Sequence, residues 1–174
     1  MKLVKFDEVL DFDSVLKECF DLLELEKVIC IPTDTCYGLS CVFDSGKAKE
    51  QIANFKRTSK DKPLTMIVSS VQMLYEYCEV SSLAAQLIEE YWPGPLTLIL
   101  PSKFSDGCIG VRLPDHIFLQ SLVAKLNKPI VSTSANLTGQ KETYSVEELN
   151  QQFEGKLQDL DFILDVLDEN KKIP

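Results

Sequence analysis

Two periods in the apolar positions divide the chain into helices and strands. Leu16, Cys19, Phe20 and Leu23 recur at i, i+3, i+4 and i+7, which predicts a helix over 13–25 capped by Asp13 or Ser14. Val28-Ile29-Cys30-Ile31 is an unbroken apolar run, as a strand covered on both faces requires, and Pro32 ends it. Asp44 or Ser45 opens a second helix with Ala48, Ile52 and Phe55 on one face, and Leu64–Val68 reads as a strand. Ser70 caps one further helix and Ser81 or Ser82 another, which ends near Tyr91 because Trp92-Pro93-Gly94-Pro95 cannot continue it. Strands are expected at Leu96–Leu100, Cys108–Val111, Pro129–Ser132 and Phe162–Leu164. Helices are expected over Asp115–Leu126 and after the capping box Ser145-Val-Glu-Glu148. Strands and helices alternate without internal repeats or low-complexity linkers. This predicts one α/β domain over residues 1–174 with a mostly covered sheet.

Composition narrows the class. The chain has 174 residues, 45% hydrophobic and 26% charged, which excludes a disordered or fibrous protein. MKLVKFDEV has no apolar stretch long enough for a signal peptide, and no run reaches the ~20 apolar residues of a membrane span. The six cysteines form no C-x-x-C pair and mostly sit in apolar runs, so they read as buried reduced thiols. A cytosolic protein that does not engage a membrane is expected. His116 is the single histidine, which removes H-E-x-x-H zinc sites and weakens any Ser-His-Asp reading. In LPDHIF it reads as a loop or helix-start residue.

The formal net charge of -9 argues against a general nucleic-acid binder. The charge is segregated, however. Residues 1–26 carry 3 basic and 8 acidic groups, residues 142–174 carry 3 and 9, and residues 27–141 carry 12 and 10. The middle of the chain is therefore mildly basic, and four polar segments there carry the candidate chemistry. Pro32-Thr33-Asp34-Thr35-Cys36-Tyr37-Gly38 can line a small polar pocket or form a tight turn bonding its own backbone. Residues 47–62 carry six basic and two acidic groups, suited to phosphates or to a solvated helix end. Arg112, in Gly110-Val-Arg-Leu-Pro114, is one of only two arginines; its planar fork suits a carboxylate or phosphate, or a structural ion pair. Ser132-Thr-Ser-Ala-Asn-Leu-Thr-Gly139 offers hydroxyls and an amide as donors and acceptors. No G-x-S-x-G elbow, P-loop or G-x-G-x-x-G is present, so covalent serine catalysis and the common nucleotide loops are unsupported.

Taken in order, PTDTCYGL, K-x-x-x-x-D-K-P-L, WPGPLTLIL, GVRLP and PIVSTSANLTG resemble the YrdC-like threonylcarbamoyl-adenylate synthase family over about residues 11–165. The resemblance implies a single domain with a twisted mixed sheet and flanking helices around a concave, positively lined cavity. It implies that L-threonine, bicarbonate and ATP give threonylcarbamoyl-AMP and pyrophosphate, with Mg2+ on the ATP. The adenylate is then used by partner proteins that modify a tRNA adenosine. By matched position, Thr35, Tyr37, Arg112 and Ser132 are expected at the threonine and bicarbonate site. Lys56, Arg57, Thr58, Lys62, Cys108, Ser134 and Asn136 are expected at the ATP site, with Lys56 and Arg112 as the catalytic pair.

Two departures from the family pattern stand out. The family's K-x-R becomes Lys56-Arg57-Thr58, so the arginine sits one residue early, and Arg57 is expected to substitute. Relatives also continue after the last strand into a Ser-Thr-Ile-type segment and a basic end near the substrates, about where this chain reaches Lys171-Lys172-Ile173-Pro174. The second C-terminal domain of the family's longer members is not expected within these 174 residues. The alternative function is a non-catalytic protein binding tRNA or double-stranded RNA. A relation to hydrogenase maturation proteins, which act on another carbamoyl donor, is disfavoured by the chain's length.

Overall fold

A computed structural model describes residues 2–6, 11–59 and 62–166. In it eight strands form one mixed sheet in the order β1-β8-β2-β3-β7-β4-β6-β5. The strands are β1 (Lys2–Phe6), β2 (Ile29–Pro32), β3 (Tyr37–Val42), β4 (Thr65–Ile67), β5 (Leu98–Pro101), β6 (Cys108–Arg112), β7 (Ile130–Ser134) and β8 (Phe162–Val166). The helices are α1 (Phe12–Glu24), α2 (Gly46–Phe55), α3 (Val71–Tyr77), α4 (Ser82–Tyr91), α5 (Ile117–Leu126) and α6 (Val146–Phe153). Strand β8 runs parallel to β1 and β2, β4 runs parallel to β6, and the β2–β3, β3–β7, β4–β7 and β5–β6 pairs are antiparallel.

The strand interiors are apolar on both faces because each face carries its own core. Alternate residues of one strand enter different clusters: Ile29, Ile31, Ile130 and Phe162 join α1, α3, α4 and α5, whereas Cys30, Val131 and Ile163 join α2 and α6. The first core is closed by α1 against α5, with Phe12 edge-on to Phe118 at 5.5 Å. Four of the caps read from sequence hold their helices directly. Ser45, Ser70, Ser81 and Ser145 accept from the N–H three residues on, at 3.1, 3.1, 3.2 and 3.1 Å. His116 starts α5 in the same way, its Nδ1 accepting from Leu119 N–H at 3.4 Å. Helix α1 begins with Asp11 at the cap position, not Asp13 or Ser14.

Three elements were not in the sequence pattern: β1, β3 and a 3-10 turn at Lys156–Asp159. Strand β3 follows β2 after only four residues, so its first two residues, Tyr37 and Gly38, belong to the polar Pro32–Gly38 segment that could be read as a turn. Five cysteines are buried, as expected, and burial lifts the Cys19 and Cys41 thiols to about 12. Cys108 departs from that expectation: it lies exposed at the start of β6, whose neighbour β5 is the sheet edge. Among the described residues no helix is long and apolar enough to cross a membrane. The expected segment at Lys171–Pro174 lies outside the described residues.

Candidate functional site

The candidate residues converge where β2 turns into β3 and β7 runs alongside. The four-residue turn Thr33–Cys36 is held by Thr33, whose hydroxyl donates to Cys36 C=O at 2.9 Å and accepts from Thr35 N–H at 3.1 Å. Strand β3 then pairs with β7, setting Gly38 opposite Ser134 and Ser40 opposite Ser132. Gly38 is dictated by this approach: a Cβ there would lie 2.7 Å from Ser132 Oγ and 3.3 Å from Thr33 Cγ2. The Ser40 hydroxyl, fully buried, donates to Ser132 Oγ at 3.0 Å, which leaves the Ser132 proton free to donate elsewhere.

Two clefts flank β7 and share Thr133 in their walls. The first, of about 150 Å³, is lined by Thr33, Thr35, Cys36, Gly38, Arg112, Ser132 and Ser134 among others. Arg112 supplies its positive charge. The guanidinium Nε donates to Gly94 C=O at 3.1 Å, Nη1 donates to Thr35 Oγ1 at 3.2 Å, and Nη2 pairs with Asp34 Oδ1. Gly94 comes from the Trp-Pro-Gly-Pro segment, which Trp92 Nε1–H anchors on Leu96 C=O at 2.7 Å. A Cβ on Gly94 would lie 2.5 Å from Tyr91 C=O, so only glycine fits. Burial pushes the Cys36 thiol up, against the lowering hydrogen bond of Thr35.

The second cleft, of about 290 Å³, is lined by Lys49, Lys56, Thr58, Ser59, Lys62, Ser105 and Cys108 on an apolar base of Ile52, Ala53 and Val131. Among the described residues its wall has three lysines and no carboxylate. Lys56, only 2% exposed, donates to Ser134 C=O and to Asn136 Oδ1, the latter at 3.2 Å. Burial, reinforced by the charge of Lys62, lowers its pKa to about 8. Asn136 is fixed in turn, accepting from Ser134 Oγ at 2.5 Å and donating to Gln140 C=O at 2.7 Å. The loop beyond it is tied by Thr143, whose hydroxyl donates to Ala135 C=O at 2.7 Å, and by Gln152, which accepts from Leu137 N–H at 3.2 Å.

The clefts thus gather Thr35, Arg112, Ser132 and Ser134 on one side of β7 and Lys56, Thr58, Lys62 and Cys108 on the other, with Asn136 touching Lys56. Three expected residues are not in either wall: Asn136, which meets the lysine cleft only through its bond to Lys56, Tyr37 and Arg57. Tyr37 is 3% exposed and packs into the core beneath β3. Arg57 is carried away from Lys56 by the end of α2. A Schellman motif closes that helix: Thr58 N–H bonds Ala53 C=O at 3.0 Å and Arg57 N–H bonds Asn54 C=O at 3.2 Å. Arg57 takes the left-handed position, φ 52°, and lines an outer groove with Lys47, Glu50, Asn54, Lys156 and Asp159, while Thr58 enters the lysine cleft. The expectation that Arg57 replaces the family arginine therefore meets a chain reversal that sends it elsewhere. Arg57→Gly is expected to raise stability by about 1 kcal/mol, about 2–4 °C in Tm, with ATP affinity unchanged, as thermal melts and binding titrations would read. Sequence reasoning also missed Asp34 and Gly94 as partners of Arg112, and Thr133 as the shared wall.

The family model for Sua5, YciO and YrdC proteins, described as telomere recombination, matches residues 21–174. The chain belongs to this family. Among the relatives of this Sua5/YciO/YrdC protein, the threonylcarbamoyl-AMP synthase of Photorhabdus laumondii is 36% identical over 84% of this chain and 81% of its own. That of Vibrio vulnificus is 33% identical over 80% and 81%. Among solved structures, P. abyssi Sua5 complexed with L-threonine superposes with a TM-score of 0.84 at 26% identity, covering 95% of this chain. This chain spans 50% of that Sua5 protein's length. E. coli YciO superposes at 0.77 with 25% identity over 93% and 81%.

Proposed function

We propose that this Sua5/YciO/YrdC protein is an L-threonylcarbamoyladenylate synthase. The observation that carries the reading is the pair of clefts across β7, one ending in an arginine fork and one lined by three lysines. The first suits an amino-acid carboxylate and the second a polyphosphate. The synthase relatives and the L-threonine bound by P. abyssi Sua5 support this reading over a non-catalytic RNA-binding one.

In the proposed reaction the threonine amine and bicarbonate give a carbamate with loss of water. A carbamate oxygen attacks the α-phosphorus of ATP, and pyrophosphate leaves. The protein forms no covalent bond; it positions the reactants and neutralises developing charge. Arg112 holds the threonine carboxylate, with Thr35 and Ser132 bordering it. Lys56 and Lys62 face the phosphates, Thr58 and Cys108 border them, and Ser134 and Asn136 hold Lys56 in place. Mg2+ is expected to accompany the ATP, and no step is assigned to it. In the cytosol the adenylate would pass to partner proteins that modify tRNA.

An omission series tests the reading. Pyrophosphate release requiring ATP, L-threonine and bicarbonate together supports it; salt-sensitive RNA binding without pyrophosphate release favours the alternative. The state of Lys56 predicts the pH response. Its folded pKa lies below its ordinary value, so its charge opposes folding below about pH 8, and this opposition is relieved as pH rises toward 10.5. ATP binding has the opposite sign: affinity falls as pH rises through about 8 and the ammonium is lost. Titrations from pH 7 to 9.5 should show this fall in the wild type and none in Lys56→Met.

A further inference from the structure

We propose that Asp34 is the positioning residue of the arginine cleft, clamping Arg112 to the start of α5 so that the guanidinium is set before substrate arrives. The inference rests on the threonine reading of that cleft. Asp34 lies in the turn between β2 and β3, yet neither carboxylate oxygen serves that turn. Oδ1 pairs with Arg112 Nη2, and Oδ2 accepts from Asp115 N–H at 3.1 Å. The Arg112 and Asp34 side chains are only 13% and 10% exposed. One carboxylate therefore joins three segments: the β2–β3 turn, the end of β6 and the loop entering α5, whose Pro114 is in the cleft wall.

The remaining Arg112 contacts define what the clamp achieves. Gly94 C=O takes the Nε proton and Thr35 Oγ1 takes one Nη1 proton. With Asp34 on Nη2, these contacts with described residues use one N–H of each terminal nitrogen, so each has a second N–H to offer a carboxylate. Without Asp34, Nη2 loses its anchor and the fork can turn about the Nε bond to Gly94. Asparagine cannot replace the carboxylate fully, because its single acceptor oxygen serves either Arg112 or Asp115 N–H, not both.

The chain's two arginines make the test readable. In 15N-labelled protein the guanidinium Nε–H resonances belong to Arg57 and Arg112, and an Arg57→Lys variant assigns them. Wild-type Arg112 is expected to show a protected Nε–H and slow rotation of its terminal nitrogens. Asp34→Ala loses both and Asp34→Asn retains part. In steady-state assays Asp34→Ala raises KM for L-threonine about 10–100-fold while KM for ATP stays within about twofold, and Asp34→Asn falls between. An unchanged Arg112 resonance in a folded Asp34→Ala protein overturns the clamp, as does an equal rise in both KM values. If wild-type protein neither binds nor uses L-threonine, the substrate reading falls, and the resonance still decides whether Asp34 holds Arg112.

Discussion

Arg112→Ala is expected to lower kcat/KM for L-threonine by about 10³-fold and to cost about 3 kcal/mol of stability. Both effects come from the same ion pair. The guanidinium is the cation of the arginine cleft, so its loss leaves the proposed threonine carboxylate without a partner. It also leaves Asp34, 10% exposed, as a carboxylate with no counter-ion, and breaking one side of a buried pair costs more than the pair contributes. Lysine restores a point charge but cannot reach Gly94, Thr35 and Asp34 at once. Arg112→Lys should therefore recover much of the stability and little of the threonine affinity. Urea unfolding and initial-rate kinetics on both variants check this. Equal recovery of stability and threonine affinity by lysine would contradict it.

Lys56→Met is expected to separate activity from stability. Removing the buried ammonium takes away one of the three lysine charges lining the proposed phosphate cleft, and pyrophosphate formation should fall about 10²–10³-fold, about 3–4 kcal/mol of transition-state stabilisation. Stability should stay within about 1 kcal/mol of wild type at pH 7. Methionine leaves Ser134 C=O and Asn136 Oδ1 without their lysine donor, but it also removes a charge that burial already disfavours. Asn136 keeps its bond from Ser134 Oγ, which limits the loss. A variant as active as wild type would remove Lys56 from the chemistry. One that fails to fold would show the ammonium to be structural.

How far the sequence could be read follows from the range of each interaction. Helix starts were legible because a cap acts over three residues, as at Ser45, Ser70, Ser81 and Ser145. Cys30, Val131 and Ile163 could be read as strand interior but not assigned a face, because strand order depends on pairings far apart in sequence. Strand β3 was hidden because its first residues coincide with a polar motif that reads as loop. Asp34 was visible as a carboxylate, but its partners lie 78 and 81 residues away, and a turn bonding its own backbone was an equal reading. Arg57 misled because proximity to Lys56 in sequence does not give proximity in space when the chain reverses between them. The basic middle of the chain resolves at the site into one arginine and three lysines on either side of β7.

The two clefts are proposed to unite a carbamate of threonine with the adenylyl group of ATP. The most direct measurement is mass spectrometry of the nucleotide products formed from ATP, 15N-labelled L-threonine and 13C-labelled bicarbonate by the purified protein. The expected product is an adenylate carrying both labels, formed together with pyrophosphate and missing when Arg112 or Lys56 is replaced. An adenylate without the bicarbonate carbon, or no adenylate from protein that binds both ATP and L-threonine, would contradict it.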